Sequence, residues 1–426
     1  MSTRFACVFA LCMGVASSAY AATPVHALPS AAPAAEGFST ERLERLDRFM
    51  REATANDGYL GAVSLIARHG KVIQSRAYGR RDLARTSPMT TDAIFRIYSM
   101  TKTVTTVAVL ILMEEGRLSL EDPVAQYLPA FADLSVFAGG SADAPQVRPA
   151  LRPITIRHLL THTAGFATAS GEEATKLLER AELHGAADLK EFAERASRVP
   201  LATDPGTRFR YDGTQIEIAS RLVEVVAGMP FERFLQQRIF DPLRMRDTGF
   251  SVRADQRHRI ADITSVGRDG RLVLADGRSA MHPGERLNAY PSGAGGLYST
   301  AADYLRFCQM LLDGGTLEGT SVLGRKSVEL MMQNQLMQLD PPVTEFSDAE
   351  GFGLGGSVLL DVARRGRLGS PGQFGWSGAA STYFTIDPHE RLIAILLMQH
   401  LPHEGAHERP KISSRFYNLV YQALVP

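Results

Sequence analysis

Ser99 and Lys102 make the only Ser-x-x-Lys in a chain of 426 residues. They stand at the head of the run VTTVAVLILMEEG, which reads as a buried helix. Three positions apart on a helix, the two side chains share a face and can touch. A serine at a helix N-terminus also has its own backbone N–H aimed where an oxyanion would form. A neighbouring lysine can accept the hydroxyl proton once burial lowers its pKa. Together these residues could support nucleophilic acyl transfer. The plainer alternative is a capping serine beside a solvated lysine, but a charge set against a wholly apolar helix start requires a partner.

Two other places carry chemistry. Tyr211 closes GTRFRY, just before a helix whose apolar face is Ile216, Ala219, Leu222, Val223 and Val226. A tyrosine at such a junction is ordinarily a packing residue with a wet hydroxyl. Beside Lys102 its phenol could act as a phenolate or proton shuttle, because the positive charge would lower its pKa. Spacing alone does not bring the two together. Trp376-Ser377-Gly378-Ala379 lies immediately before a strand. Its small residues would let a ligand approach the strand edge and leave N–H groups for an oxyanion, or would simply form a tight turn. Gly375-x-Ser377-x-Ala379 imitates a nucleophile elbow but lacks the last glycine and the strand-to-helix setting.

Metal chemistry has weaker candidates. His158 and His162 have the i,i+4 spacing of a zinc helix, yet no glutamate follows the first. His400, His403 and His407 could gather a metal, but nothing around them supplies orienting partners. Structural histidines are expected in both places, with no metal.

Elements at both ends must position these residues. Gly61–Arg68 and Lys71–Gly79 read as a hairpin turning at His69-Gly70, and Ala379–Ile386 with Leu392–Met398 as a second around Asp387-Pro388. Ser39 or Thr40 caps a helix carrying Leu43, Leu46 and Met50, and a closing helix carries Ile412, Phe416, Leu419, Val420 and Leu424. Between them the signals are mostly helical, over Ser99–Glu115, Ile156–Thr161, Gln215–Ala227, Phe231–Phe240, Ala301–Leu312 and Lys326–Gln333. The expected class is α+β: an antiparallel sheet from the N- and C-terminal segments, flanked by helices, with a helical domain inserted. The sheet region is expected at about 38–100 and 290–426, the helical region at about 103–289. Ala138–Pro153 reads as a long loop edging a cleft.

Composition narrows the class further. The chain has 46 basic and 46 acidic residues, with 45% hydrophobic and 22% charged, which is globular and carries no footprint for nucleic acid. Residues 1–21 have a signal peptide's form: Arg4, an apolar run and Ala19-Tyr20-Ala21, with Val25-His26-Ala27 as a second cleavage point. Residues 22–37 read as an Ala/Pro-rich linker without a packing pattern, and 38–426 as the folded unit. Loss of the leader removes Cys7 and Cys12, leaving Cys308 and no internal disulfide. The mature chain is expected to be exported, periplasmic or secreted, without a stable membrane span.

Longer motifs accompany the short ones: DPVAQYLP at 122–129, HLLTHTAGF at 158–166, IFDPLRMRDTGF at 239–250, GAGGLYSTAADYLRFCQMLLDGG at 293–315 and FGWSGAASTYFTIDP at 374–388. With Ser99-x-x-Lys102 these resemble the serine β-lactamase/penicillin-recognising superfamily, its class C-like branch, and there the family VIII carboxylesterases. The resemblance runs from about residue 40 to 420. It implies a sandwich-like sheet domain and a helical domain with the active site between them. It implies Ser99 as acylated nucleophile, Lys102 as its activating partner, Tyr211 as general base, and the backbone N–H groups of Ser99 and Ala379 as oxyanion hole. Trp376-Ser377-Gly378 takes the place of the β-lactamase K-T-G motif.

Two departures bear on substrate. A neutral Trp376 stands where β-lactamases carry a cation, and Gly213 replaces the asparagine of Y-x-N. Losing a cationic anchor and an amide reader favours small neutral esters over β-lactams or peptides. The expectation is a cofactor-free carboxylesterase. A class C-type β-lactamase or D-amino-acid peptidase is the alternative, and a non-catalytic penicillin-binding-like protein a third.

Overall fold

Both ends of the chain build one sheet. Strands β1 (Gly61–Arg68) and β2 (Lys71–Gly79) come from the N-terminal part. Strands β3 (Glu350–Phe352), β4 (Ser357–Leu359), β5 (Phe374–Gly378), β6 (Thr382–Asp387) and β7 (Leu392–Met398) come from the C-terminal part. The seven strands lie in the order β3-β4-β5-β6-β7-β1-β2. The two ends meet where β1 pairs antiparallel with β7, from Ala62 opposite Met398 to Arg68 opposite Leu392. His69 and Gly70 turn β1 into β2 with φ of 50° and 78°, the two positive values that a tight hairpin turn of this hand needs. The computed structural model describes residues 28–56, 58–84, 86–167, 171–405 and 407–426. The expected leader, 1–21, and both cleavage points lie outside the described residues.

Alternation along the central strand shows how the sheet is covered. Ile393, Ile395 and Leu397 of β7 enter the larger core with α2 (Thr101–Glu114), α3 (Thr214–Ala227) and α4 (Ala301–Leu312). Leu392, Ala394, Leu396 and Met398 enter a second core with α1 (Thr40–Ala53) and α5 (Ser413–Tyr421). A strand buried on both faces explains the unbroken apolar run LIAILLM. Helix α2 is buried on every side from Thr101 to Leu112, which explains why its apolar residues show no stripe. Ser39 caps α1 by accepting the Arg42 N–H at 3.2 Å.

The α+β class expected from sequence holds, with several local corrections. Ala138–Pro153 is not an irregular loop: Ser135–Ser141 and Ala144–Pro149 form a hairpin, with a register shift between Phe137 and Gly139. The helix expected over Phe231–Phe240 is an α-helix only to Leu235 and then opens into a π turn, Gln236–Phe240. Trp376–Gly378 are not a turn before a strand but the end of β5 itself. The Ala/Pro-rich stretch packs where it is described. The Ala31 N–H donates to the Val72 carbonyl at 3.0 Å, and buried Glu36 pairs with Lys71 and His69 at 2.7 and 2.9 Å. Cys308 is a buried free thiol. Among the described residues no helix is long and apolar enough to cross a membrane.

Candidate active site

Ser99 sits in a single turn, Tyr98–Met100, that leads into α2. The residue before it, Tyr98, is held at φ 43°, a left-handed conformation that costs a non-glycine residue on the order of 1 kcal/mol. Strand β5 packs directly against this turn. A Cβ on Gly378 would come 2.3 Å from the Ile97 carbonyl, so only glycine lets the strand approach so closely. Thr382 adds a hydrogen bond from its hydroxyl to the same carbonyl at 3.3 Å. Ser99, Tyr211, Trp376, Ser377, Gly378 and Ala379 thereby line one cleft of about 620 Å³.

Lys102 lies beneath Ser99, buried at 3% exposure. Its ammonium donates to Ser99 Oγ at 3.0 Å and to the Ala294 carbonyl at 2.6 Å, and stands 4.9 Å from the centre of the Tyr211 ring. The partner that a buried charge requires is therefore a loop carbonyl, a serine hydroxyl and an aromatic face together. Tyr211 is half-buried. Its phenolic oxygen accepts a hydrogen bond from Trp376 Nε1 at 3.1 Å, and the two rings lie 5.1 Å apart. Its backbone N–H donates to Glu345 Oε1 at 3.0 Å, while Arg210 pairs with the same carboxylate.

Two residues to which the sequence assigned no part in this site stand behind this group. Glu217, on α3, is fully buried; its carboxylate accepts the Ser292 hydroxyl and, at 3.0 Å, the Gly293 N–H. Burial pushes its pKa up to about 7, against the hydrogen bond from Ser292 and the charge of Lys102. Thr105 clamps the same loop by donating to the Gly293 carbonyl at 2.8 Å. The carbonyl that receives Lys102 thus belongs to a loop held from two helices. The only signal in the sequence was an acid among apolar residues, IEIAS. His162 is the second. It is wholly buried, with its ring 4.6 Å from that of Tyr211. Burial first, and the Lys102 charge next, hold it well below its ordinary pKa, hence neutral.

The two departures also have a structure. Gly213 caps α3 at φ −76°, an ordinary conformation, and a Cβ there would meet the Ala294 Cβ at 3.5 Å. Neither strain nor crowding at that atom demands glycine. Trp376 closes an aromatic wall with Phe352 at 5.1 Å and with Phe346, 58% exposed, at 6.0 Å.

The remaining candidates are dispersed. His158 does not converge with His162: its Nδ1 accepts the Thr155 N–H at 3.1 Å and completes a capping box. His400 and His403 both turn to Glu408, at 2.8 and 3.4 Å. Among the described residues no group of three His, Cys, Asp or Glu could hold a metal ion. Ser377 is no nucleophile elbow, because it lies within β5 opposite Tyr383 of β6.

Residues 46–414 match the family model described as Beta-lactamase. Protein Rv1367c of Mycobacterium tuberculosis is 35% identical over 358 residues, covering 80% of this chain and 86% of that protein. Esterase EstB of Burkholderia gladioli is 29% identical over 383 residues, covering 85% and 91%. Among solved structures, EstCE1, a hydrolase with promiscuous acyltransferase activity, superposes with a TM-score of 0.72 at 26% identity, covering 91% of this chain and 99% of that one.

Proposed function

The chain belongs to the beta-lactamase family of serine hydrolases, and from that premise we propose that it is a carboxylesterase of the family VIII type, exported from the cell. Its substrates are esters that are neutral around the scissile bond, cleaved through an acyl-enzyme on Ser99. The observation that carries this reading is the hydrogen bond from Trp376 Nε1 to the Tyr211 hydroxyl at 3.1 Å. At the place of the β-lactamase lysine, a neutral indole is spent on the phenol instead of on a drug's carboxylate. The relative named an esterase supports the same reading.

In the proposed reaction Ser99 Oγ attacks the ester carbonyl carbon as its proton passes to the Tyr211 phenolate, with the Lys102 ammonium 4.9 Å from the centre of that ring. The tetrahedral oxyanion is stabilised by the N–H groups of Ser99 and Ala379. Collapse breaks the bond to the alcohol, which leaves with the proton from Tyr211. Water then attacks the acyl-enzyme and gives its proton to Tyr211, which passes it to Ser99 Oγ as the acyl bond breaks and the acid leaves.

Parallel assays with p-nitrophenyl butyrate and a chromogenic cephalosporin test the reading, with Ser99→Ala as control. Ester turnover far above cephalosporin turnover is expected. Comparable turnover of the two would favour the β-lactamase or peptidase alternative. Absence of both, with no labelling by a fluorophosphonate, would favour the non-catalytic one. Fractionation of expressing cells, with the enzyme found only in the cytoplasm, would overturn export.

A further inference from the structure

The cleft does not end at Ser99. Strand β4 pairs with β5 only at Phe374 and Gly375, so Trp376–Gly378 have no strand on that side. The cleft passes this free edge to the opposite face of the sheet, where Ser377 of β5 and Tyr383 of β6 are cross-strand neighbours. There its wall becomes cationic. Arg365, Arg367, Arg409 and Lys411 line it against one carboxylate, Glu350. Glu350 is already taken, by Arg365 at 2.8 Å. Arg409 is spent on backbone carbonyls, reaching that of Gly270 at 2.8 Å.

Arg367 and Lys411 are different. Among the described residues neither has a carboxylate within salt-bridge distance, and both are held by aromatic rings. The Arg367 guanidinium lies 4.4 Å from the centre of the Tyr417 ring, and the Lys411 ammonium 5.9 Å from that of Tyr383. Arg367 is half-buried, and its Nε is buried without a hydrogen-bond partner. Burial pushes its pKa down, and the nearby Tyr417 ring and Glu350 carboxylate offset this only in part. A merely solvated surface cation has neither property. The volume agrees: about 620 Å³ is the size of a pocket for a drug-sized ligand, more than a short neutral ester fills.

We propose that this basin, at the Arg367 and Lys411 end of the cleft, binds an anionic group of the substrate, a carboxylate or a phosphate, remote from the ester carbonyl at Ser99. This rests on the esterase reading and deepens it: the substrate is neutral where Trp376 meets it and negatively charged at its far end. Arginine suits either anion through its paired N–H donors, and lysine adds a point charge.

The test compares p-nitrophenyl esters whose acyl chains end in methyl, carboxylate or phosphate, together with acetate esters whose alcohol chains end in the same groups. The wild type is expected to prefer at least one anion-ended series by about tenfold in kcat/KM, chiefly through KM, at low ionic strength. In the Arg367→Gln/Lys411→Gln double variant the anion-to-methyl ratio should fall to about one. A wild-type ratio near one in every series, or a ratio that the double variant leaves unchanged, overturns the proposal. Whichever of the two acid series is preferred identifies the anion. Calorimetry of suberate and octyl phosphate on the Ser99→Ala protein separates the two readings. Saturable anion binding without ester turnover would sink the esterase reading alone. Ester turnover without anion binding would sink the basin alone.

Discussion

Trp376 donates its indole N–H to the phenolic oxygen of Tyr211 at 3.1 Å, across 165 residues of sequence. One end of the cleft wall thereby fixes the group proposed to carry the proton. Trp376→Phe keeps the apolar surface and removes the donor. A single neutral hydrogen bond contributes about 1 kcal/mol, so kcat on a p-nitrophenyl ester should fall by roughly fivefold. An unchanged kcat would mean that the bond does not orient the phenol.

Lys102 joins Ser99 Oγ to the Ala294 carbonyl. Lys102→Met preserves the stem and removes the charge. The expected result is a folded protein by circular dichroism with kcat lowered by about 1,000-fold, the size of a lost acid–base partner. Residual acylation by a fluorophosphonate at the wild-type rate would show that Ser99 needs no help from this side chain.

Glu217 makes stability depend on pH. Its carboxyl titrates near 4.5 when unfolded and at about 7 in the buried site. Below pH 4.5 both states are protonated and its contribution is intact. Between 4.5 and 7 the unfolded chain ionises while the fold resists, so that contribution declines as pH rises. The total is at most about 3 kcal/mol, from ~1.4 kcal/mol per pKa unit. Urea melts at pH 4.5 and 7.5 should therefore show the wild type losing more stability than Glu217→Gln over this range. Parallel losses in the two proteins would contradict the assignment.

Gly378 allows β5 to reach the turn of Ser99. Gly378→Ala puts a methyl 2.3 Å from both the Ile97 carbonyl and the Thr382 hydroxyl. Backbone cannot give way as a side chain can, so a loss of about 1–3 kcal/mol is expected. A thermal melt should show Tm falling by several degrees, with kcat/KM lowered at least tenfold even well below the melt. Retained activity at reduced Tm would separate packing from catalysis at this position.

His158 predicts acid sensitivity of another origin. Burial lowers its pKa to about 4, and its Nδ1 serves as acceptor in the Thr155 capping box. Stability from the neutral ring is complete above about 6.5 and is lost as pH falls toward 4. His158→Asn, which keeps an acceptor and cannot titrate, should flatten the acid limb of a Tm-against-pH curve. A steeper or unchanged limb would point to other groups.

Much of this was legible along the chain because it depends on short-range geometry. Ser99 and Lys102 touch because they are one helical turn apart. Likewise the hairpin at His69-Gly70, the cap at Ser39 and the apolar run of β7 are decided by turn chemistry, capping and burial pattern. The hairpin at 135–149 escaped because Gly, Ala and Pro signal breaks in structure more strongly than strands. Trp376–Gly378 escaped as strand because small residues beside a turn carry no alternation. Glu217 stands among apolar residues in IEIAS, but nothing local shows that its side of the helix is covered.

The sequence by itself determined the fold class, the family and the Ser99–Lys102 pair, since helix periodicity and motif order are properties of consecutive residues. Only the tertiary structure decided that Lys102 would rest on a carbonyl 192 positions away and that Trp376 would hold Tyr211. The same holds for two cations, Arg367 and Lys411, that share the far end of the cleft without an ion pair among the described residues. Those relationships exist because β1 pairs with β7 and closes the chain's two ends into one sheet. Which loops then meet across it follows from packing rather than from spacing.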